Sequence, residues 1–195
     1  MGALNQITKS DYLPFSEYQR LLACLENEKK YTWCAYCVLS FSLALRISDI
    51  LNLTWEDVIG QRSLTVTEKK TGKTKEIPIS VSVSEKIQEL YLKLNKPNIH
   101  TYICVSKKFK KVMSVQYINC KLKYFKRKYN LQIDHFSTHT FRKTFGRYIY
   151  DKFNRSEEAL ILLNQIFRHD SISTTKIYIG LRNDEVRSVF EKIVI

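Results

Sequence analysis

Glycine and proline are scarce in this chain, five and three among 195 residues, and they form no linker. Internal repeats and low-complexity tracts are missing too, so nothing divides the sequence into two units. A single domain of this size buries roughly two-thirds of the surface that its unfolded chain exposes. Long apolar runs are also lacking. The longest, YTWCAYCVLSFSLAL at 31–45, contains two serines and falls short of the ~20 residues that span a bilayer. No secretory signal opens the sequence. The five cysteines (24, 34, 37, 104 and 120) are odd in number and follow no disulfide framework. Reduced thiols and a cytoplasmic location are the expectation. Cys34 and Cys37 spell CxxC, yet they lie inside the apolar run with no second Cys or His pair at zinc spacing. That pattern points to packing rather than to a metal.

Acidic charge is the remaining scarcity. Nineteen Asp and Glu face thirty-two Lys and Arg, a net charge of +13, while 44% of the residues are apolar. The composition describes a packed basic globule rather than a disordered chain. Such a surface is drawn to nucleic acid, because neutralised phosphates release their condensed counterions. Improved solubility is the plain alternative. An anionic membrane is a third, but no amphipathic helix with a Lys-only polar face is present.

What is there is mostly helical periodicity. Residues 16–28 place Tyr18, Leu21, Leu22 and Leu25 on one stripe, with Ser16 positioned to cap it. The apolar run 31–45 predicts a helix buried nearly all round, ended by Arg46, with a short helix from Ser48 to Leu53. SLTVTEKKTGKTKEIPIS (63–80) alternates, turns around Thr71-Gly72 and alternates again, which predicts a β-hairpin with lysines at its tip. A helix starting at Ser84 carries Ile87, Leu90, Tyr91 and Leu94. YICV (102–105) is expected to be extended and leads into the basic run KKFKK (107–111). Ser114 caps a further helix with Val115, Ile118, Leu122, Phe125 and Tyr129 on one side and lysines on the other. Short helices are expected at 138–152, 156–167, 172–179 and 183–193. The fold class is α+β, mostly helical, with one small antiparallel sheet.

The segment STHTFRKTFGR (137–147) concentrates positive charge. Wound as a helix, it puts Phe141, Phe145, Tyr148 and Ile149 on one side and His139, Arg142, Lys143 and Gly146 on the other. The basic side is either a solvated face or a site, and Gly146 leaves room for a close approach. Upstream, Arg46 ends an apolar helix, where an isolated charge is expensive unless something anionic meets it. A salt bridge to Asp49 is the structural alternative. Downstream, RHDSISTTKIYIG (168–180) offers His169 and, nine residues on, Tyr178.

In order, Arg46, a hairpin lysine, His139-x-x-Arg142, His169 and Tyr178 resemble the catalytic set of the tyrosine recombinases, the phage and transposon integrase family. LALRISDILNLTWEDV (43–58) looks like its first arginine box and EKKTGKTKEIPIS (68–80) like its lysine hairpin. HTFRKTFGRYI (139–149) and RHDSISTTKIY (168–178) look like its His-x-x-Arg and His-to-Tyr boxes. The match runs from about residue 12 to the end, and the four boxes together are far more specific than any one. Three positions depart from the pattern. Ala44 stands where glycine is common, Lys143 where a second histidine is frequent, and Phe167-Arg168 where Leu-Gly is usual.

The resemblance implies a tyrosine-recombinase catalytic-domain fold and DNA strand cleavage through a 3′-phosphotyrosyl link. Tyr178 would be the nucleophile. A phenol with a pKa near 10 needs cationic neighbours or a base, which His139 would provide. Arg46 and Arg142 would clamp the phosphate, with His169 bonding the same oxygens. Lys70 would protonate the leaving 5′-oxygen, with Lys69 and Lys73 as alternatives because hairpin register is not fixed by sequence. Asp49 would orient the pocket from behind. Lys69, Lys73, Lys107, Lys108, Lys110, Lys111, Lys121, Lys123, Lys126, Arg127 and Lys143 are the expected contacts to DNA, most of them holding phosphate rather than reading bases. No cofactor and no metal is implied. Partners would be double-stranded attachment sites, with a free monomer, a tetramer on DNA and accessory bending or directionality factors, and no membrane.

The family's core-binding and arm-binding domains have no counterpart here, so residues 1–195 are expected to be a single catalytic domain from a longer protein. The tail 182–195, with Val186, Val189, Phe190 and Ile193, would pack on its own body or dock on a neighbouring subunit. A DNA-binding protein without catalysis would need only the helices and charge, and a type IB topoisomerase shares the Arg/Lys/His/Tyr logic. The spacing from Arg46 to Tyr178 favours the recombinase.

Overall fold

The computed structural model describes residues 10–69, 72–106, 108, 110–181 and 190–193. Helix α1 (Phe15–Asn27) starts one residue ahead of the predicted position. Pro14 supplies the N-cap with no side-chain bond, and Ser16 lies inside the first turn. Its stripe Tyr18, Leu21 and Leu25 is buried against α2 (Tyr31–Ser42), where Cys34, Ala35, Tyr36 and Cys37 have no exposed surface. Burial pushes the Cys34 thiol up to about 12, which keeps it protonated and unreactive.

Helix α2 stops at Ser42, three residues before the predicted end. Leu43 caps it, and Ala44 turns into the left-handed region at φ 48°. Arg46 is extended and caps the single-turn helix α3 (Ile47–Ile50). The chain then forms the expected hairpin. Strand β1 (Ser63–Thr67) pairs antiparallel with β2 (Thr74–Pro78) in a register from Ser63 opposite Pro78 to Thr67 opposite Thr74. At the shoulders of the turn Glu68 N donates to Lys73 O and Gly72 N to Glu68 O, with Gly72 at φ 65°.

Helix α4 (Val81–Lys93) begins before Ser84, because the Ser80 hydroxyl accepts from Val83 N and caps it there. Residues 102–105 form no strand. Tyr102 bridges Thr54, Val105 bridges Val112, and Ile103 and Cys104 between them are buried. Helix α5 (Val115–Lys128) is capped by Ser114 as expected, with Ile118, Leu122 and Phe125 inward.

Helix α6 (Thr140–Lys152) lies between two apolar clusters. Phe141 belongs to the main core of α1, α2, α4 and α5, with Tyr36 and Tyr18 edge-on to its ring. The other side of α6 meets a smaller cluster of Ala44, Leu160, Leu163, Phe167, Ile179 and Leu181. That second cluster is built by α7 (Glu157–Phe167), by α8 (Ile172–Tyr178) and by the end of α2. A Cβ on Gly146 would stand 2.6 Å from Ile179 Cγ2 and 2.9 Å from the Phe167 ring, so glycine lets these elements close up on α6. Of the two readings of the basic side of α6, a solvated face or a site, the solvated face is excluded, because Arg142, Lys143 and Gly146 are buried. Most of the predicted tail helix lies outside the described residues; Phe190 and Ile193, which are described, are exposed.

Candidate active site

The site lies where the end of α2, the hairpin, the start of α6 and the end of α7 meet. Arg142 is 4% exposed. Its Nη1 donates to the Ala44 carbonyl and its Nη2 to the Phe167 carbonyl at 3.0 Å, and the guanidinium sits 4.6 Å above the Phe167 ring. Both acceptors are neutral, so the positive charge is positioned but not cancelled. Both also sit at helix exits bent into left-handed geometry, at Ala44 itself and at Arg168 just after Phe167. Desolvation depresses the Arg142 pKa, yet a guanidinium starts high enough to stay charged.

Tyr178 ends α8 inside this pocket. Its ring packs edge-on to His169 at 4.9 Å and to Phe167 at 5.3 Å, with the Lys143 ammonium 5.2 Å from its centroid. The hydroxyl is buried beside the Arg142 guanidinium, which also donates to the two carbonyls. Burial raises the phenol pKa, while the nearby positive charge of Arg142 and then of Arg46 opposes that rise.

His169 is held through Nδ1, 3.0 Å from the Thr175 hydroxyl, and its carbonyl accepts from Asn164 Nδ2 at 3.0 Å. Burial, then Arg142 and Arg46, pull its pKa down to about 4. His139 caps α6, and burial followed by Lys143, Arg142 and Arg46 lowers its pKa as well. Both imidazoles are neutral at physiological pH. A bound anion would raise both, because it favours their charged forms.

Arg46 faces the same pocket from α3, with 21% of its side chain exposed. Its Nη1 pairs at 2.6 Å with Oε2 of Glu68, a carboxylate with no exposed surface. Lys75 Nζ approaches the other oxygen at 3.1 Å. Arg46 thus pairs with the hairpin, and not with Asp49 as the structural alternative had it. Asp49 instead accepts from the Lys69 main-chain N–H at 3.2 Å, which ties α3 to the first shoulder of the turn.

Residues 11–185 match the sequence profile of the phage integrase family. The chain belongs to that family. It is 33% identical over 180 residues to the probable integrase/recombinase YoeC of Bacillus subtilis, covering 89% of this chain and 90% of that protein. It is 29% identical to tyrosine recombinase XerA of Pyrococcus horikoshii over 158 residues, 80% of this chain but 52% of that one. Among solved structures, a XerA recombinase superimposes with a TM-score of 0.69 at 20% identity over 94% of this chain and 66% of its own. A Tn1549 transposon integrase in complex with transposon right end DNA also gives 0.69, at 18% identity over 95% and 68%. These likenesses establish the integrase catalytic-domain fold, with its small antiparallel sheet.

Two departures from the integrase pattern have a backbone meaning that the sequence hid. Ala44 was expected inside a helix, where replacing glycine is mild. It lies outside, at positive φ, which costs a residue with a Cβ about 1–2 kcal/mol. Arg168 adopts φ 53° and ψ 52° as the C-cap of α7, again a conformation that suits glycine. The third departure corrects an expectation. Lys143 is 7% exposed and its ammonium donates to the Ser10 carbonyl, so it faces inward and is no surface contact for DNA.

The remaining expected residues that are described fall on three segments, the hairpin, the turn at 108–111 and α5. Lys70 and Lys107 lie outside the described residues. Lys69 is exposed with its Nζ 3.1 Å from Asn52 Oδ1, and Lys73 is exposed beside it. Lys108, Lys110 and Lys111 are exposed on a tight turn closed by Lys110 N to Ser106 O. On α5, Lys123 and Arg127 are exposed, Lys121 lies over the Tyr117 and Tyr124 rings, and Lys126 donates to the Asp134 carbonyl. Sequence reasoning missed Glu68, Lys75, Thr175 and Asn164. The alternation of β2 offered one signal, since it puts Lys75 and Ile77 on its more buried side.

Proposed function

We propose that this chain carries out site-specific DNA recombination, cutting and rejoining strands at attachment sites of a mobile element. The observation that supports it most is the Tyr178 hydroxyl buried between Arg142 and the His169 ring. Tyr178 Oη attacks the scissile phosphorus, its proton passing to His139, and the bond from phosphorus to the 5′-oxygen breaks. The 5′-oxygen takes a proton from a hairpin lysine, for which Lys70 is assigned by resemblance. The products are a 3′-phosphotyrosyl link and a free 5′-hydroxyl, and the same steps reverse onto a second strand.

Arg142 and Arg46 hold the non-bridging oxygens as negative charge grows on them, and His169 joins them through the ring nitrogen turned away from Thr175. Because the ester link conserves the phosphodiester bond energy, side-chain cations and proton donors suffice for the chemistry. Lys107, Lys108, Lys110, Lys111, Lys121, Lys123, Lys126 and Arg127 contact the backbone of the duplex, the hairpin residues Lys69 and Lys73 join them, and four chains assemble on DNA with the tail docking between neighbours.

The test is nicked suicide DNA, from which religation is impossible. A covalent adduct should form and be lost on Tyr178→Phe. That substitution keeps the ring and its packing and should change stability by no more than about 1 kcal/mol. An adduct that persists in the variant sinks the assignment of Tyr178. No adduct from the parent protein leaves only DNA binding, and relaxation of any plasmid points to a topoisomerase.

A further inference from the structure

We propose that Arg168 is a positioning residue that fastens the lysine hairpin to the histidine side of the pocket, an inference that rests on the recombinase reading above. Arg168 caps α7 directly before His169 in a left-handed conformation. Glycine would adopt it without strain, so the side chain has to offset the conformational penalty of having one. Its Nη2 donates to the Thr74 carbonyl at 2.9 Å and its Nη1 to the Lys73 carbonyl at 3.3 Å. The same Nη1 lies 3.9 Å from Glu68 Oε2.

These acceptors stand on both shoulders of the turn, Glu68 where the chain leaves β1 and Lys73-Thr74 where it enters β2. One guanidinium therefore grips the hairpin on either side of its tip. Glu68 extends the hold to Arg46 and Lys75. The end of α7, the lysine turn and the start of α3 become one linked unit, so His169, the hairpin lysines and Arg46 keep a common frame. The two main-chain acceptors matter most. A bond to a carbonyl fixes the path of the backbone itself, and a proton donor at the tip of a short hairpin is only as well placed as its shoulders.

The experiment compares the full chain with Arg168→Gly and Arg168→Lys on two suicide substrates. One has the ordinary scissile phosphate; the other has sulfur in place of the bridging 5′-oxygen, which leaves as a thiolate and needs no proton. Arg168→Gly should slow adduct formation about 10- to 100-fold on the oxygen substrate, the penalty for a misplaced catalytic group, yet stay within about twofold on the sulfur substrate. Arg168→Lys should recover part of the loss. Amide hydrogen exchange at Glu68 and Gly72 should quicken in Arg168→Gly with little change in Tm, because glycine relieves the backbone.

Equal losses on both substrates would overturn the proposal and make Arg168 a phosphate contact. Unchanged cleavage with unchanged exchange would overturn it outright. If the parent forms no adduct with either substrate, the recombinase reading fails. Exchange at Glu68 and Gly72 then decides the latch alone, and no change there rejects it.

Discussion

Arg142 and Arg46 were expected to do one job, and the fold holds them in opposite ways. Arg142 is buried on a long helix and bonds two neutral carbonyls, so its charge is fixed in place and undiminished. Arg46 stands at the edge of a single-turn helix and is already paired with a carboxylate of the hairpin. On the recombinase reading, the first would be a cation already set in place when a phosphate arrives. The second would meet the phosphate with Glu68 already on its Nη1, which couples it to the hairpin. Burial alone does not decide which charge is available for a ligand; the charge of its resident partner does.

The largest effects should come from breaking each half. Arg142→Ala and Arg46→Ala should both reduce adduct formation at least ~10³-fold, as expected for loss of a transition-state cation. They should differ in stability. Arg142→Ala leaves two buried carbonyls unpaired and should lower unfolding free energy by about 2–4 kcal/mol in urea titrations. Arg46→Ala leaves Glu68 with Lys75 and Arg168 and should lower it by about 1 kcal/mol. Equal losses would contradict the distinction. Gly146→Ala tests the scaffold behind Arg142: a Cβ driven against Ile179 and Phe167 should destabilise by about 1–3 kcal/mol.

The sequence made the helices, the hairpin and the order of site residues legible, because periodicity and motif spacing are local properties. It did not show why Arg46 is tolerated, since Glu68 lies 22 positions away and reads as one more polar residue at a turn. Lys143 was misjudged for a related reason. A helical wheel shows which residues share a side but not that α7 and α8 cover that side. Ala44 and Arg168 were recognised as departures, but a left-handed φ is a property of the helix exit and appears only with the fold.

Glu68→Gln sharpens the comparison from the other direction. Freed of its carboxylate, Arg46 should bind duplex DNA a few-fold more tightly, and the slope of log affinity against log salt should steepen by about 1. pH gives a smaller effect. His169 is held near pKa 4 in the folded chain against 6.5 when unfolded, so the unfolded state takes up the proton first. Stability should therefore be fully present above about 6.5 and decline as pH falls toward 4, with His139 adding in the same direction. Urea midpoints for His169→Gln should show a flatter decline. The smallest effect belongs to Ala44→Gly, which should raise stability by no more than about 1 kcal/mol, since relieved strain is partly offset by the freer unfolded chain.

The hold on Arg142 is made of main-chain oxygen, which every amino acid possesses. The two bonds do not depend on the side chains of residues 44 and 167, provided that two bends keep their shape, although the ring beneath the guanidinium does tie residue 167 to an aromatic. The inner wall of the pocket is thereby insulated from much of the mutation that surrounds it, whereas the outer wall, depending on one acidic side chain, is open to being retuned by a single codon.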